Sequence, residues 1–241
     1  MARPIHGSFP ETLRRQGFDL SRETIIYGIS TIQTDNGVPV KDIAFFPSIP
    51  YDGTLHLLGL ANIQTWHGYD RVIEGMARYK KAQGDTSVVF HIAGTGAALP
   101  ELKELCEQLC IDDRAVFHGH LSGDRLNELQ AMCHVGIASL GMHRIKVEKG
   151  NTSPLKSREY AAAGFPFVVG YLDHDFPADF PFQLVLPANE EPIDIAAIVK
   201  FYAHIAENHP GHRAELRKFA EQRLDWGHKF LPLFDYLKKE A

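Results

Sequence analysis

The chain has 241 residues, 44% of them hydrophobic and 23% charged, with a formal net charge of -5. This is ordinary composition for a soluble globular protein, long enough to bury a real core, and the acidic excess excludes non-specific nucleic-acid binding, which needs a surplus of lysine and arginine. No run of about 18 apolar residues occurs, so no transmembrane segment is expected, and the first ten residues lack the apolar stretch of a secretory leader.

Residues 1–24 are polar and irregular, with helical spacing only over 11–16. A short apolar run follows at 25–29, then a turn signal at Asn36-Gly37. From residue 55 the pattern alternates between strand and helix. Residues 55–61 read as a buried strand. In 68–83, Tyr69, Val72, Ile73, Met76 and Ala77 share one helical face. A strand is expected at 88–93, then a helix over 99–110 with Leu102, Leu105, Cys106 and Leu109 inward. Residues 115–119 form the next strand, and Ser122 caps a helix running to 133. A strand over 135–140 precedes a helix over 153–163. There Ser153 suits the N-cap, Pro154 the first helical position, and Gly164 the left-handed stop. Short strands follow at 167–169 and 183–186, and the chain from 193 is mostly helical. A terminal helix over 226–241 carries an apolar stripe of Trp226, Phe230, Leu233, Phe234 and Leu237. Such alternation implies an α/β fold: a parallel sheet with helices on both faces. Cys106, Cys110 and Cys133 lack metal-ligand spacing and read as reduced core thiols.

In an open parallel sheet, ligands bind beyond the carboxyl ends of the strands. The loops there are 62–67, 94–98, 118–121, 141–152 and 170–175. At 151–160, Lys156 and Arg158 follow the helix start closely, where the dipole favours anions. They are either solvated cations or half of a phosphate site built on the helix N-terminus. Gly94-Thr95-Gly96 is a tight turn or a close approach to a ligand, and it is not the dinucleotide fingerprint, because Leu99 stands where glycine is required. His67 is a phosphate donor or a helix cap, with Asp70 and Arg71 solvated in the latter case. His118 and His120 have no evident third ligand for a metal, and Asp173-His174-Asp175 reads as solvated charge.

Together the segments WHGYDRVIEG (66–75), IAGTGAALPEL (92–102), IDDRAVFHGHLSG (111–123), GIASLGMHR (136–144) and SPLKSREY (153–160) resemble, in order and spacing, glycosyltransferase family 4. The resemblance covers roughly 25–240 and only the C-terminal, donor-binding half of such enzymes. It implies a GT-B C-terminal domain, Rossmann-like, over 25–225, flanked by the irregular segment 1–24 and the helix 226–241. It also implies retaining transfer, without a metal or other cofactor, from a UDP- or GDP-linked sugar to a saccharide or lipid-linked acceptor in polysaccharide biosynthesis. The alternative is a non-catalytic nucleotide-sugar-binding module or the donor subunit of a split enzyme. The partner implied is a nucleotide sugar, with a separate acceptor-domain subunit or a homodimer, and the setting is cytoplasmic or peripheral at the inner membrane face.

Carried onto this chain, Glu159 would hold the ribose hydroxyls. Thr95 and Gly96 would lie near the nucleotide and the backbone of His118 and Gly119 near the base. Ser153, Pro154 and Leu155 would sit beside the diphosphate, with Lys156 as its counter-charge. Three positions depart from the family pattern: Asn151 replaces a glutamate, Asn62 an arginine and His67 a lysine. Lys156, His67 and Asn151 are therefore the catalytic candidates, and Arg144 a further charge for the diphosphate.

Overall fold

The computed structural model describes residues 36–47, 49, 51–145 and 154–231. The expected helix at 11–16, the apolar run at 25–29, Asn151, Ser153, Leu233, Phe234 and Leu237 lie outside them.

The fold is α/β and Rossmann-like. Six strands, β1 (Thr54–Asn62), β2 (Ser87–Thr95), β3 (Ala115–Gly119), β4 (Val135–Ile137), β5 (Phe167–Val169) and β6 (Gln183–Val185), form one sheet in the order β3-β2-β1-β4-β5-β6. Every pairing is parallel. The order reverses between β1 and β4, so the crossovers on either side leave a crevice above those two strands.

The helices are α1 (Tyr69–Lys81), α2 (Leu99–Gln108), α3 (Gly123–Gln130), α4 (Leu155–Ala163), α5 (Ile195–Asn208), α6 (His212–Arg223) and α7 (Trp226–Lys229). They cover both faces of the sheet, and the two-residue period of the strands divides the core accordingly. Leu57, Phe90, Ile92, Val135 and Val168 pack under α1, α2 and α5, where Val72, Ile73, Leu102, Ile195 and Ile198 meet them. Leu58, Ala93, Phe167 and Val169 face the other way, against Ala161 and Ala162 of α4 and Leu216 and Ala220 of α6. Asp194 caps α5 by accepting the Ala197 N–H at 3.2 Å.

Several boundaries differ from the sequence expectation. Pro154 is extended (φ -68°, ψ 139°) and is itself the N-cap of α4, so the helix starts one residue later than expected. β4 is only three residues long, although beyond Ile137 the Ala138 N–H still donates to the Val168 carbonyl and the Ser139 carbonyl accepts from Gly170 N–H, both at 3.0 Å, before the chain enters the β4–α4 loop. Cys110 is exposed rather than core: α2 ends at Gln108 and Cys110 takes a left-handed φ of 54° that turns its side chain outward. Cys106 and Cys133 are buried and free. No helix among the described residues is long and apolar enough to cross a membrane.

Candidate functional site

The crevice is shaped by three local devices. The β1 and β4 loops are stitched together: Leu140 N–H donates to the His67 carbonyl at 2.9 Å and Gly141 N–H to the Trp66 carbonyl at 3.0 Å. Gly68, with φ 65°, makes the turn between them, where a Cβ would come within 2.8 Å of the Gly141 nitrogen. Finally, Tyr160 of α4 drives its ring over Gly136, where a Cβ would lie 2.6 Å from it. Its hydroxyl donates to the carbonyls of Leu58 (3.0 Å) or Ile137 (3.1 Å) and accepts from Leu60 N–H (3.3 Å). Tyr160 thus anchors α4 across the point where the strand order reverses.

The N-terminal turn of α4 therefore opens on a cavity of about 530 Å³. Pro154, Leu155, Lys156 and Glu159 form one wall, and Trp66, His67, Ser139, Met142 and Ile145 the other. Lys156 and Glu159 are three residues apart, hence on one helical face. Glu159 is exposed. Burial pulls the Lys156 ammonium below its ordinary value, and the Glu159 carboxylate opposes that shift. His67 is 4% exposed. Burial first, and the Lys156 charge second, hold its imidazole down at about 4. At neutral pH it is uncharged. Its Nδ1 faces both the Gln64 N–H at 3.0 Å and the Gln64 carbonyl at 3.2 Å; the tautomer that accepts the shorter contact carries its ring proton on Nε2. The cavity thus offers an ammonium, a neutral N–H donor, a helix N-terminus and a carboxylate, an arrangement that can take an anion and a hydroxyl pair together.

Not every expected residue joins this cavity. Asn62, Thr95, Gly96, His118 and Gly119 stand at the same sheet edge but are not among its lining residues. Gly96 is needed where it is, because a Cβ there would meet the Ile63 carbonyl oxygen at 2.1 Å. Gly119 has φ 66° and open space around it. The His118 imidazole is bonded to His91 at 3.0 Å, and His91 to His56 at 2.8 Å, so three neighbouring strands carry a chain of rings. Burial holds all three below the ordinary value, His91 at about 4. Among the described residues no His, Cys, Asp and Glu cluster could hold a metal.

Three arginines differ from their expected surroundings. Arg144 ion-pairs with Asp70 at 2.7 Å and with Glu190, and donates to the Thr65 carbonyl at 2.9 Å. Its charge is matched by two carboxylates, so it is not a free counter-charge. Arg71 is buried, not solvated, and donates to the carbonyls of Glu191, Leu140 and Pro187 and to Asn189 Oδ1. Arg158 is fully buried against Asp173, itself buried, and Asp175, which is partly exposed, so they form an ion-paired cluster rather than solvated charge. Sequence reasoning gave no part to Ile145, and named Trp66, Ser139 and Met142 only within motifs. Their proximity to α4 follows from the strand order, which local pattern does not encode.

Residues 40–172 match the family model of glycosyl transferases group 1. No curated protein matches the chain by sequence. Among solved structures, sucrose-phosphate synthase from Thermosynechococcus elongatus superposes at a TM-score of 0.59 with 16% identity, over 85% of this chain and 51% of that one. HepE of Anabaena, solved in complex with UDP and glucose, gives 0.56 at 16% identity, over 78% and 49%. The C-terminal domain of a glycosyl transferase group 1 family protein from Francisella tularensis gives 0.55 at 16% identity, over 79% of this chain and 100% of that domain. The chain spans about half the length of the first two and all of the third, and its fold is that of a GT-B glycosyltransferase domain. With more than half of its residues inside the matched model, the chain belongs to the glycosyl transferases group 1 family.

Proposed function

We propose that this chain is the donor-binding domain of a retaining glycosyltransferase of family 4, and that the α4 cavity holds a nucleoside diphosphate sugar, UDP- or GDP-linked. The observation that carries this reading is the meeting of Lys156, Glu159 and the His67 imidazole at the reversal of strand order. In it, Glu159 accepts from the two ribose hydroxyls. Lys156 and the α4 N–H groups face the diphosphate, and His67 Nε2–H donates to one of its oxygens. As the glycosidic bond breaks, negative charge grows on the leaving phosphate, and fixed donors around that oxygen lower the barrier without a metal. Asn151, Ser153 and the backbone of His118 and Gly119 belong to the same proposal as sugar, phosphate and base contacts. The acceptor, a saccharide or a lipid-linked sugar, is met on an opposing domain or subunit.

A second reading, a nucleotide-sugar-binding module without transfer activity, is favoured by one observation. His67 is neutral, and Asn62 stands at the edge of β1 where a second cation would help neutralise a diphosphate. A thermal-shift panel of UDP, GDP, ADP and their common sugars separates the possibilities. Stabilisation by one nucleoside diphosphate and its sugar, lost in Glu159→Ala, supports the donor site. Absence of any shift across the panel overturns it. Transfer assays with the acceptor-bearing partner then separate enzyme from module.

A further inference from the structure

Arg158 stands between Lys156 and Glu159 in chain order, yet its guanidinium points away from the cavity and is fully buried. Nε donates to the Asn36 carbonyl at 2.5 Å. Nη1 donates to the Pro154 carbonyl at 3.0 Å and to Asp173 Oδ2 at 2.7 Å. Nη2 donates to Asp173 Oδ1 at 3.1 Å and to Asp175. Asp175 also accepts from Lys229 of α7, whose side chain is 12% exposed. Ser157 Oγ lies 3.2 Å from the Pro154 carbonyl and 3.4 Å from Asp173.

The buried Arg158 and Asp173 charges are costly unless each is met by a partner, and Asp175 and Lys229, both partly exposed, extend the pairing toward the surface. Pairing of this kind adds little net stability over apolar packing, but it permits only one arrangement of the groups it joins. Here those groups converge on the Pro154 carbonyl, gripped by both Arg158 and Ser157. Pro154 is the N-cap of α4, and the following turn presents Lys156 and Glu159.

We propose that Arg158 is a positioning residue for the α4 cavity, and that Lys229, through the Asp175 carboxylate they share, makes the C-terminal helix α7 part of the same clamp. The placement of Lys156 and Glu159 then depends on a segment some 70 residues further along the chain, roughly, that contributes no lining to the cavity. The proposal rests on the donor reading for the identity of the ligand, but not for the coupling itself. His67 supplies a ligand-free reporter, because the nearby Lys156 charge helps hold its imidazole low. If α4 shifts its first turn away, that imidazole titrates higher.

The test uses the full chain and the variants Lys229→Met, Arg158→Lys and Glu159→Ala. UDP affinity is measured by calorimetry. The His67 titration is followed by NMR and identified by the signal lost in His67→Gln. Lys229→Met is expected to weaken UDP by about fivefold, within the range for residues that couple to a site without touching its ligand, and to raise the pH at which His67 titrates. Arg158→Lys, which keeps the charge but cannot fork between two carboxylates, shifts both readouts the same way. Should Arg158→Lys not fold, Lys229→Met, which removes a partner nearer the surface, carries the test. Wild-type UDP binding and wild-type His67 titration in Lys229→Met, alongside lost binding in Glu159→Ala, would overturn the clamp. Wild-type UDP binding in Glu159→Ala would instead overturn the donor reading, and the His67 titration alone would then decide the clamp.

Discussion

Glu159 is exposed and has no hydrogen-bond partner among the described residues, while Arg158 beside it has no solvent contact. Removing the Glu159 carboxylate should therefore leave folding intact. If it holds the ribose, Glu159→Ala loses about tenfold or more in UDP affinity, the worth of hydrogen bonds to a charged group, with an unchanged melting curve. Calorimetry and circular dichroism check the two halves of that statement. His67 gives a pH prediction. Its folded value of about 4 lies below the ordinary 6.5, so between those values the unfolded chain takes up a proton that the folded chain refuses. Stability should fall as pH drops through that window and level off below it. In His67→Gln the melting temperature should depend less steeply on pH between 6.5 and 4. Lys156 stands out in the sequence by its place beside a helix start and Glu159 only by the family resemblance; the structure puts both on the face of α4 that lines the cavity. The partners of the arginines are not legible there. Arg144 finds Glu190 46 positions away and Arg158 finds Asp173 15 positions away, and a long flexible side chain can reach many partners that only the packed chain selects.

Strands and helices were legible wherever the apolar period was regular, and β3 and β5 fall where the pattern puts them. Ends were less so. α4 begins at Leu155 because Pro154 is already extended, and β4 spans only three residues although Ala138 N–H still donates to the Val168 carbonyl beyond its end. The lateral order of the strands has no local signature, so the cavity walls from β1 and β4 could not be paired in advance. Tyr160 records that order in one side chain, since its hydroxyl serves three backbone groups of β1 and β4. Tyr160→Phe leaves these buried groups unmatched, at a cost of about 2 kcal/mol. Urea denaturation should show that loss, together with weaker UDP binding as α4 loosens over the crevice.

At the scale of the whole molecule, the donor reading makes the 241 residues one wall of a two-walled site. On that reading they should by themselves bind a nucleoside diphosphate, UDP or GDP, and transfer no sugar to a simple acceptor, a result that a product assay on the purified chain checks directly. Kinship with the glycosyl transferases group 1 was legible from the order of several short segments rather than from any one of them, and an identity of 16% to solved structures still accompanies a shared fold. Near the two ends of the described chain, Val38 and Asp225 form a parallel bridge: Val38 N–H donates to the Leu224 carbonyl at 2.9 Å, Trp226 N–H returns to Val38 at 3.3 Å, and Gly37 lies flat against the Trp226 ring. The first and last described stretches therefore run side by side. That adjacency suggests a trimmed chain, residues 36–231, whose ends are joined by a linker and which is reopened at the exposed turn near Gly84. Such a circular permutant should fold and keep its affinity for UDP.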